Sequence, residues 1–190
     1  MVKKTVLVLE GSPRKGNTTV VTDWVLAGLG KKGVDIKRLR VCELHINGCQ
    51  ECFGCFDYKT RAGCQQDDDM LEIYQLLVDS DLTIWTSPIF CWGVTSQLKA
   101  VVDRCFALLN GENLLKGQKW AVILTAGGDH FDGADLAVEM FRRLSEFGKM
   151  KYLGQLVIPN CPEPKLLKRN RQVFLEAKRF GKELRQEIFT

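Results

Sequence analysis

Short apolar runs alternate along the chain with longer segments whose apolar residues recur at helical spacing. The first run, residues 6–9, has the length and β-branched content of a buried strand, and residues 19–29 carry apolar side chains on one side of a predicted helix. The later apolar runs predict strands at 35–39, 82–86, 120–124 and 153–158. The intervening segments predict helices at 67–77, 96–109, 135–147 and from Lys165 onward.

Five predicted strands therefore alternate with five predicted helices. This alternation is typical of the α/β class, in which helices cover both faces of a parallel sheet. Ligands of such sheets bind beyond the carboxyl ends of the strands. Three loops follow predicted strands at that edge, namely 11–19, 86–93 and 125–130. We expect these loops to meet at a binding site.

The loop at 11–19 is rich in groups that bind phosphate. It lies at the start of a predicted helix, where free backbone N–H groups and the helix dipole favour an anion. Its side chains add hydroxyl, amide and cationic donors from Ser12, Arg14, Lys15, Asn17, Thr18 and Thr19. An ordinary polar turn with one capping residue accounts for one or two of these donors, but not for six. The loop therefore predicts a phosphate site.

Two common phosphate motifs are absent from this loop. Gly11 and Gly16 have the spacing of a P-loop, but Asn17 stands where that motif has lysine. The dinucleotide glycine fingerprint is missing too, and the second predicted strand ends near Arg38 and Arg40 instead of an acidic ribose ligand. The remaining hydroxyl and amide donors suit the single terminal phosphate of a mononucleotide.

Length, charge and cysteine content favour one domain in a reducing compartment. A chain of 190 residues is long enough to bury a core, so we expect a single domain over 1–190 and a cytoplasmic location. No run has the length of a membrane span or a secretory signal, so no membrane association is expected. The net charge of +4 is modest. Much of the basic excess lies in the last predicted helix, where it is most simply a solvated face, so no nucleic-acid partner is expected.

Five of the eight cysteines fall in a connection at about 42–66 that lacks helix or strand periodicity, and four of them form a compact motif. Cys49, Cys52 and Cys55 are spaced by two residues, and Cys64 follows after eight more. Four thiolates can bind zinc or the four irons of a cubane cluster. Three hypotheses stay open for this Cys-rich insertion: a 4Fe-4S cluster, cluster-free thiols or a disulfide pair, and zinc.

Several segments of the chain resemble the NADPH-dependent FMN reductase family of flavodoxin-like proteins, and within it the iron–sulfur flavoprotein branch. The resemblance rests on residues 11–19, 68–70, 87–99 and 102–104, and covers about 3–130 in order and at matching intervals. It implies a flavodoxin-like three-layer sandwich with a five-stranded parallel sheet in the order 2-1-3-4-5. It also implies bound FMN, NAD(P)H as co-substrate and, on the cysteine motif, a possible 4Fe-4S cluster.

The second and third loops fit the flavin ring that the resemblance implies. A flavin needs an apolar wall and backbone groups at its pyrimidine edge. The second loop supplies Pro88, Ile89, Phe90, Cys91, Trp92 and Gly93. The third loop is formed of residues small enough for its backbone to approach a ligand, Thr125, Ala126, Gly127 and Gly128. His130 is a weak candidate proton donor, because one loop histidine is more often incidental.

The sequence thus predicts an FMN-dependent NAD(P)H oxidoreductase that passes electrons to a quinone, a flavin or a similar small acceptor. An alternative is an electron-transfer iron–sulfur flavoprotein with a cluster on Cys49, Cys52, Cys55 and Cys64, served by a ferredoxin-type partner. A second alternative is a non-enzymatic metal-binding or redox-sensing module on the same fold. The resemblance also implies a homodimer or homotetramer.

Overall fold

A computed structural model of the chain describes residues 3–57, 63–164 and 166–190. Its strands are β1 (Lys4–Glu10), β2 (Val34–Arg40), β3 (Leu82–Pro88), β4 (Lys119–Thr125) and β5 (Lys151–Ile158). Its α-helices are α1 (Asn17–Leu29), α2 (Met70–Asp79), α3 (Ser96–Arg104), α4 (Phe106–Leu109), α5 (Ala134–Phe147) and α6 (Arg171–Phe189). Single 3-10 turns form at Val41–Glu43, Gly54–Asp57 and Leu166–Arg169.

The five strands form one parallel sheet in the order β2-β1-β3-β4-β5. This is the doubly wound order of flavodoxin-like folds, and it confirms the predicted fold class. Successive residues of β1 point to opposite faces, so Val6 and Val8 pack with α1 and α6 while Leu7 and Leu9 pack with α2, α3 and α5. Both faces of the sheet are therefore buried, which explains why its strands read as continuous apolar runs.

Two predicted helices differ from the structure. The helix predicted at 96–109 is interrupted at Cys105, whose N–H is shared between the carbonyls of Val101 and Val102. The closing helix begins at Arg171 and not near Lys165, because the Asn170 side chain caps it by accepting from the Val173 N–H at 3.1 Å. Lys165 itself lies outside the described residues.

The Cys-rich insertion is held against the start of α2. The backbone N–H of His45 donates to the Asp69 carboxylate at 2.6 Å, and the N–H of Asp69 donates back to the His45 carbonyl at 3.1 Å. Residues 58–62 of the insertion lie outside the described part of the chain. Of the helices described, none has both the length and the apolar character needed to cross a membrane.

Candidate functional site

A cleft of about 230 Å³ opens beyond the carboxyl ends of β1, β3, β4 and β5. Four loops contribute to its walls. They supply Ser12, Pro13, Arg14, Gly16, Asn17, Thr18, Pro88, Ile89, Phe90, Thr125, Ala126, Gly127, Cys161 and Pro162. The three loops predicted to meet do meet here, at the edge of the sheet where the doubly wound order reverses.

The N-terminus of α1 faces this cleft without a side-chain cap. Gly16 precedes the helix and supplies no side-chain hydrogen bond to it. The Ser12 hydroxyl, which is buried, donates to the Arg14 carbonyl at 2.7 Å and so closes the loop. The first N–H groups of α1 are therefore available to an anion, and the Arg14 side chain, which is exposed at the rim, adds a positive charge.

Two predicted phosphate donors form contacts that brace the cleft wall. The Thr18 and Thr125 hydroxyls lie 2.7 Å apart and join α1 to the end of β4. The Asn17 amide donates to the carbonyls of Cys161 and Glu163 at 3.0 and 2.7 Å, and its oxygen accepts from the Leu167 N–H at 3.3 Å. Asn17 thus holds the loop after β5, and all of its side-chain polar atoms are engaged there.

Lys15 and Thr19 lie on the other side of the same loop. They line a neighbouring groove of about 540 Å³, together with residues at the end of β2. In that groove Arg38 pairs with Glu10 at 2.5 Å and with Asp23 at 2.6 Å. The loop therefore presents residues to two different surfaces, and four of its six predicted donors line the cleft, namely Ser12, Arg14, Asn17 and Thr18.

The second loop forms a tight turn whose tip points outward. Phe90 and Gly93 exchange backbone hydrogen bonds of 2.9 and 3.0 Å, and Cys91 and Trp92 between them have φ of 45° and 62°. Such left-handed backbone is uncommon in non-glycine residues, so the surroundings must hold the turn. Pro88, Ile89 and Phe90 line the cleft, whereas Cys91, Trp92 and Gly93 do not. Trp92 is 65% exposed.

The third loop contributes Thr125, Ala126 and Gly127 to the cleft, but not Gly128. His130 is exposed and packs its ring edge-on against Phe131, with centroids 5.2 Å apart. It does not line the cleft, so the geometry gives no support to its predicted role as a proton donor.

Sequence reasoning missed the fourth loop, which contributes Cys161 and Pro162. The N–H of Cys161 donates to the Ala126 carbonyl at 2.9 Å, and its thiol is buried against the carbonyls of Ala126 and Ile158. The topology could have indicated this loop. Because β5 pairs in parallel with β4, the carboxyl end of β5 must lie beside the third loop, which follows β4.

A second, smaller cavity of about 40 Å³ lies in the Cys-rich insertion, and we refer to it as the cysteine cavity. Its walls include all four predicted metal ligands, Cys49, Cys52, Cys55 and Cys64, as well as residues from α2, α3 and α4. The other lining residues include Tyr74, Arg104 and Phe106. The insertion thus brings together four cysteines that are up to fifteen positions apart.

The thiols of the cysteine cavity differ in their electrostatic surroundings. Burial raises the pKa of Cys55, and the neighbouring thiols Cys49, Cys64 and Cys52 raise it further. Burial also acts to raise the pKa of Cys64, but hydrogen bonds from the Gln66 N–H and the Arg104 guanidinium outweigh it and lower that pKa. Cys64 is therefore the thiol of this pair that ionises more readily.

Within the described ranges, no three or more His, Cys, Asp or Glu side chains converge on a point where one metal ion could bind. A single zinc ion needs its thiolates within about 2.3 Å of one point. A four-iron cluster instead binds one thiolate at each of four irons, so its ligands are spaced more widely. The four thiols that line the cysteine cavity are the donor set that a four-iron cluster requires.

The comparisons with known proteins agree with this geometry. A sequence model described as NADPH-dependent FMN reductase matches residues 5–162. An iron–sulfur flavoprotein of Archaeoglobus fulgidus is 34% identical over 131 residues, which make up 69% of this chain and 66% of that protein. Another, from Methanocaldococcus jannaschii, is 34% identical over 68% of this chain and 65% of its own length. The matches span just under two thirds of the length of these curated relatives.

Solved structures extend the likeness at the level of the fold. An NAD(P)H:quinone oxidoreductase from Methanothermobacter marburgensis aligns with a TM-score of 0.76 and 16% identity over 96% of each chain. A structure described as an FMN-dependent NADH-azoreductase from Bacillus anthracis in complex with FMN aligns with a TM-score of 0.71 and 14% identity. The alignment covers 96% of this chain and 100% of the azoreductase chain. At such identities the likeness shows a shared fold alone.

Proposed function

The chain belongs to the NADPH-dependent FMN reductase family, and from this premise we propose that it is an FMN-dependent oxidoreductase that uses NAD(P)H. The observation that carries the proposal is the convergence of the uncapped α1 N-terminus with the loops after β3, β4 and β5 in one cleft. A phosphate-binding helix start beside an apolar wall matches the two ends of a flavin mononucleotide.

The donor set of the cleft fits FMN. The backbone N–H groups at the start of α1, with Ser12, Thr18 and Arg14, would hold the phosphate. Pro88, Ile89 and Phe90 supply the apolar wall for the ring. The cleft volume of about 230 Å³ is below the roughly 300 Å³ at which sites begin to enclose a whole ligand, so part of the ring would rest at the rim near Phe90.

FMN held in the cleft would supply the redox chemistry, in which a hydride from a reduced nicotinamide provides two electrons for a quinone, a flavin or a similar small acceptor. The protein's own residues would hold and orient the cofactor in the cleft. Because a flavin supplies the redox chemistry, the cleft needs no acid–base pair, and its lining carries neither a carboxylate nor a histidine.

A second candidate function is one-electron transfer through a 4Fe-4S cluster. It is supported by the four thiols that line the cysteine cavity, and by the curated relatives named iron–sulfur flavoproteins. Cys49, Cys52, Cys55 and Cys64 would hold the cluster, and a ferredoxin-type protein would exchange electrons with it. All eight cysteines are free thiols, which suits the reducing cytoplasm that we propose as the setting.

We also propose that the protein works as a homodimer or homotetramer. Trp92, Phe131 and Leu136 are all more than half exposed, and the turn that carries Trp92 lies beside the cleft. A second subunit packed on these side chains would cover the exposed ring at the cleft rim. Light scattering of the FMN-loaded protein tests this proposal, and a strictly monomeric particle contradicts it.

Absorbance and turnover of protein purified without oxygen test the proposed function. We expect a yellow protein that oxidises NADH or NADPH only while FMN is bound and a quinone is supplied. About four irons and four sulfides per chain, with a brown shoulder in the spectrum, would add the electron-transfer role. A colourless protein that takes up no FMN contradicts the proposed function and favours a non-enzymatic module on this fold.

A further inference from the structure

Arg104, the last residue of α3, has a buried guanidinium in the wall of the cysteine cavity. Its side chain is only 1% exposed. One nitrogen, Nη1, donates to the Asp68 carboxylate at 2.5 Å and to the Asn47 carbonyl at 3.2 Å. The other, Nη2, donates to the sulfur of Cys64 at 3.4 Å. The guanidinium therefore bridges a fixed carboxylate and one of the four cavity thiols.

Asp68 holds this guanidinium in one orientation. Its side chain is also 1% exposed, and its oxygens accept from the backbone N–H groups of Asn47 and Met70, each at 3.1 Å. Both carboxylate oxygens are thus engaged before any ligand binds. Because the backbone fixes Asp68, the fork of Arg104 has little freedom to turn away from Cys64.

The ion pair between Arg104 and Asp68 is difficult to explain by stability alone. Desolvating two charges commonly offsets their attraction, so a buried pair is weak evidence of stabilisation. Apolar side chains of similar size would fill the same space between α2 and α3. The pair does place a fixed positive charge against one cavity sulfur, that of Cys64. Among the described residues, no side-chain cation donates to the sulfurs of the other three cavity cysteines, Cys49, Cys52 and Cys55.

We propose that Arg104 is a positioning residue that fixes the Cys64 sulfur and raises the midpoint potential of a cluster bound by the four thiolates. The inference rests on the electron-transfer part of the proposed function. Reduction adds one negative charge to a cluster, so a nearby positive charge stabilises the reduced form more than the oxidised form. Hydrogen bonds to cluster sulfurs are one of the means by which proteins set such potentials.

Two variants test this inference in the full-length protein purified without oxygen. Arg104→Lys keeps one positive charge, but a single ammonium lacks the fork that reaches Asp68 and Cys64 together. The double variant Asp68→Asn with Arg104→Gln removes both charges and leaves no unpaired buried ion, which protects the fold. Arg143→Gln is the matched control, since it breaks an exposed pair with Glu139 on α5, and neither residue lines the cysteine cavity.

Iron and sulfide content is measured first, and a redox titration then follows the cluster and flavin bands separately. We expect four irons per chain in all proteins, a lower cluster potential in both test variants, and an unchanged flavin potential throughout. The control should match the wild type.

The outcomes separate this inference from the function on which it rests. Wild-type protein that binds no iron overturns the electron-transfer function and this inference with it. Full iron content with an unchanged cluster potential in both variants overturns the inference alone. Loss of iron from both variants, with the fold retained, also overturns it, because Arg104 would then serve only to retain the cluster.

Discussion

The hydroxyl oxygens of Thr18 and Thr125 lie 2.7 Å apart, across the floor of the cleft between α1 and β4. Both residues line the cleft, and both are buried. This contact joins the helix start that would bind a phosphate to the strand end that would flank a flavin. The two halves of the proposed site are thus connected directly by one hydrogen bond.

Thr18→Ala should weaken FMN binding by about 1 kcal/mol, or about fivefold, because it removes a hydroxyl from the cleft and leaves the Thr125 hydroxyl without this partner. Fluorescence quenching of FMN by the apo-protein measures the effect. Thr18→Ser keeps the hydroxyl and is the control. Equal affinity of the alanine and serine variants would show that the hydroxyl has no role in binding.

Asn17→Ala should destabilise the fold by about 2 kcal/mol or more, since its amide makes three hydrogen bonds to the loop after β5 and each contributes about 1 kcal/mol. Urea unfolding measures the loss. Asn170→Ala is the comparison, because it removes one exposed helix cap and should cost about 1 kcal/mol. A smaller loss for Asn17→Ala than for Asn170→Ala contradicts its bracing role.

Gly133→Ala should impair flavin binding by displacing the turn at 90–93. Gly133 has φ of 99°, and an added Cβ would collide with the backbone of Trp92. The turn that carries Phe90 would have to shift. Gly117→Ala is the matched control, because its φ of 82° imposes similar strain but no atom lies within 4 Å of the added Cβ.

Both glycine variants should lose about 1 kcal/mol or more of stability through backbone strain. Only Gly133→Ala should also lose FMN affinity, which calorimetric titration measures. If the two variants bind FMN equally well, the close packing of Gly133 against Trp92 does not hold the turn at 90–93 in place.

The Lys4–Asp81 contact should make stability depend on pH in the acidic range. Burial acts to raise the pKa of Asp81, but hydrogen bonds from Lys4 and from the Thr5 N–H lower it below its ordinary 3.8. A depressed pKa adds stability that is fully present above the ordinary value and is lost as pH falls through the lower, folded-state value.

The urea midpoint should therefore decline as pH falls below about 4. Asp81→Asn should have a shallower decline, because the amide does not titrate. An identical slope in the variant and the wild type would assign the acid sensitivity to other carboxylates.

The alternation of strands and helices and the location of the cleft could be predicted because they depend on periodicity and on where strands end, whereas the strand order was implied by the family resemblance. Residue-level roles in the loop at 11–19 could not, because neighbouring positions of a loop face different surfaces. Lys15 and Thr19 face the groove beside Arg38, and the Asn17 side chain is occupied by backbone groups of a distant loop. Composition identifies such donors but not their direction.

The remaining differences have a similar origin. The outward tip of the turn at 90–93 depends on positive φ at Cys91 and Trp92, which side-chain chemistry does not indicate. Cys161 and Pro162 carry no phosphate or flavin signature, and they reach the cleft only because β5 lies beside β4. In the sequence, Arg104 stands out only as part of the segment 102–104. Its burial and its contact with Cys64 depend on the tertiary structure, which the local sequence does not indicate.

The most direct test of the proposed FMN site is the ratio of the affinities of the apo-protein for FMN and for riboflavin. These ligands differ only in the phosphate, which we assign to the start of α1 with Ser12, Thr18 and Arg14. Several hydrogen bonds to a charged group predict that FMN binds about 100-fold more tightly, and that Arg14→Ala weakens FMN binding without affecting riboflavin. Equal affinities for the two flavins, unchanged by Arg14→Ala, would contradict the account.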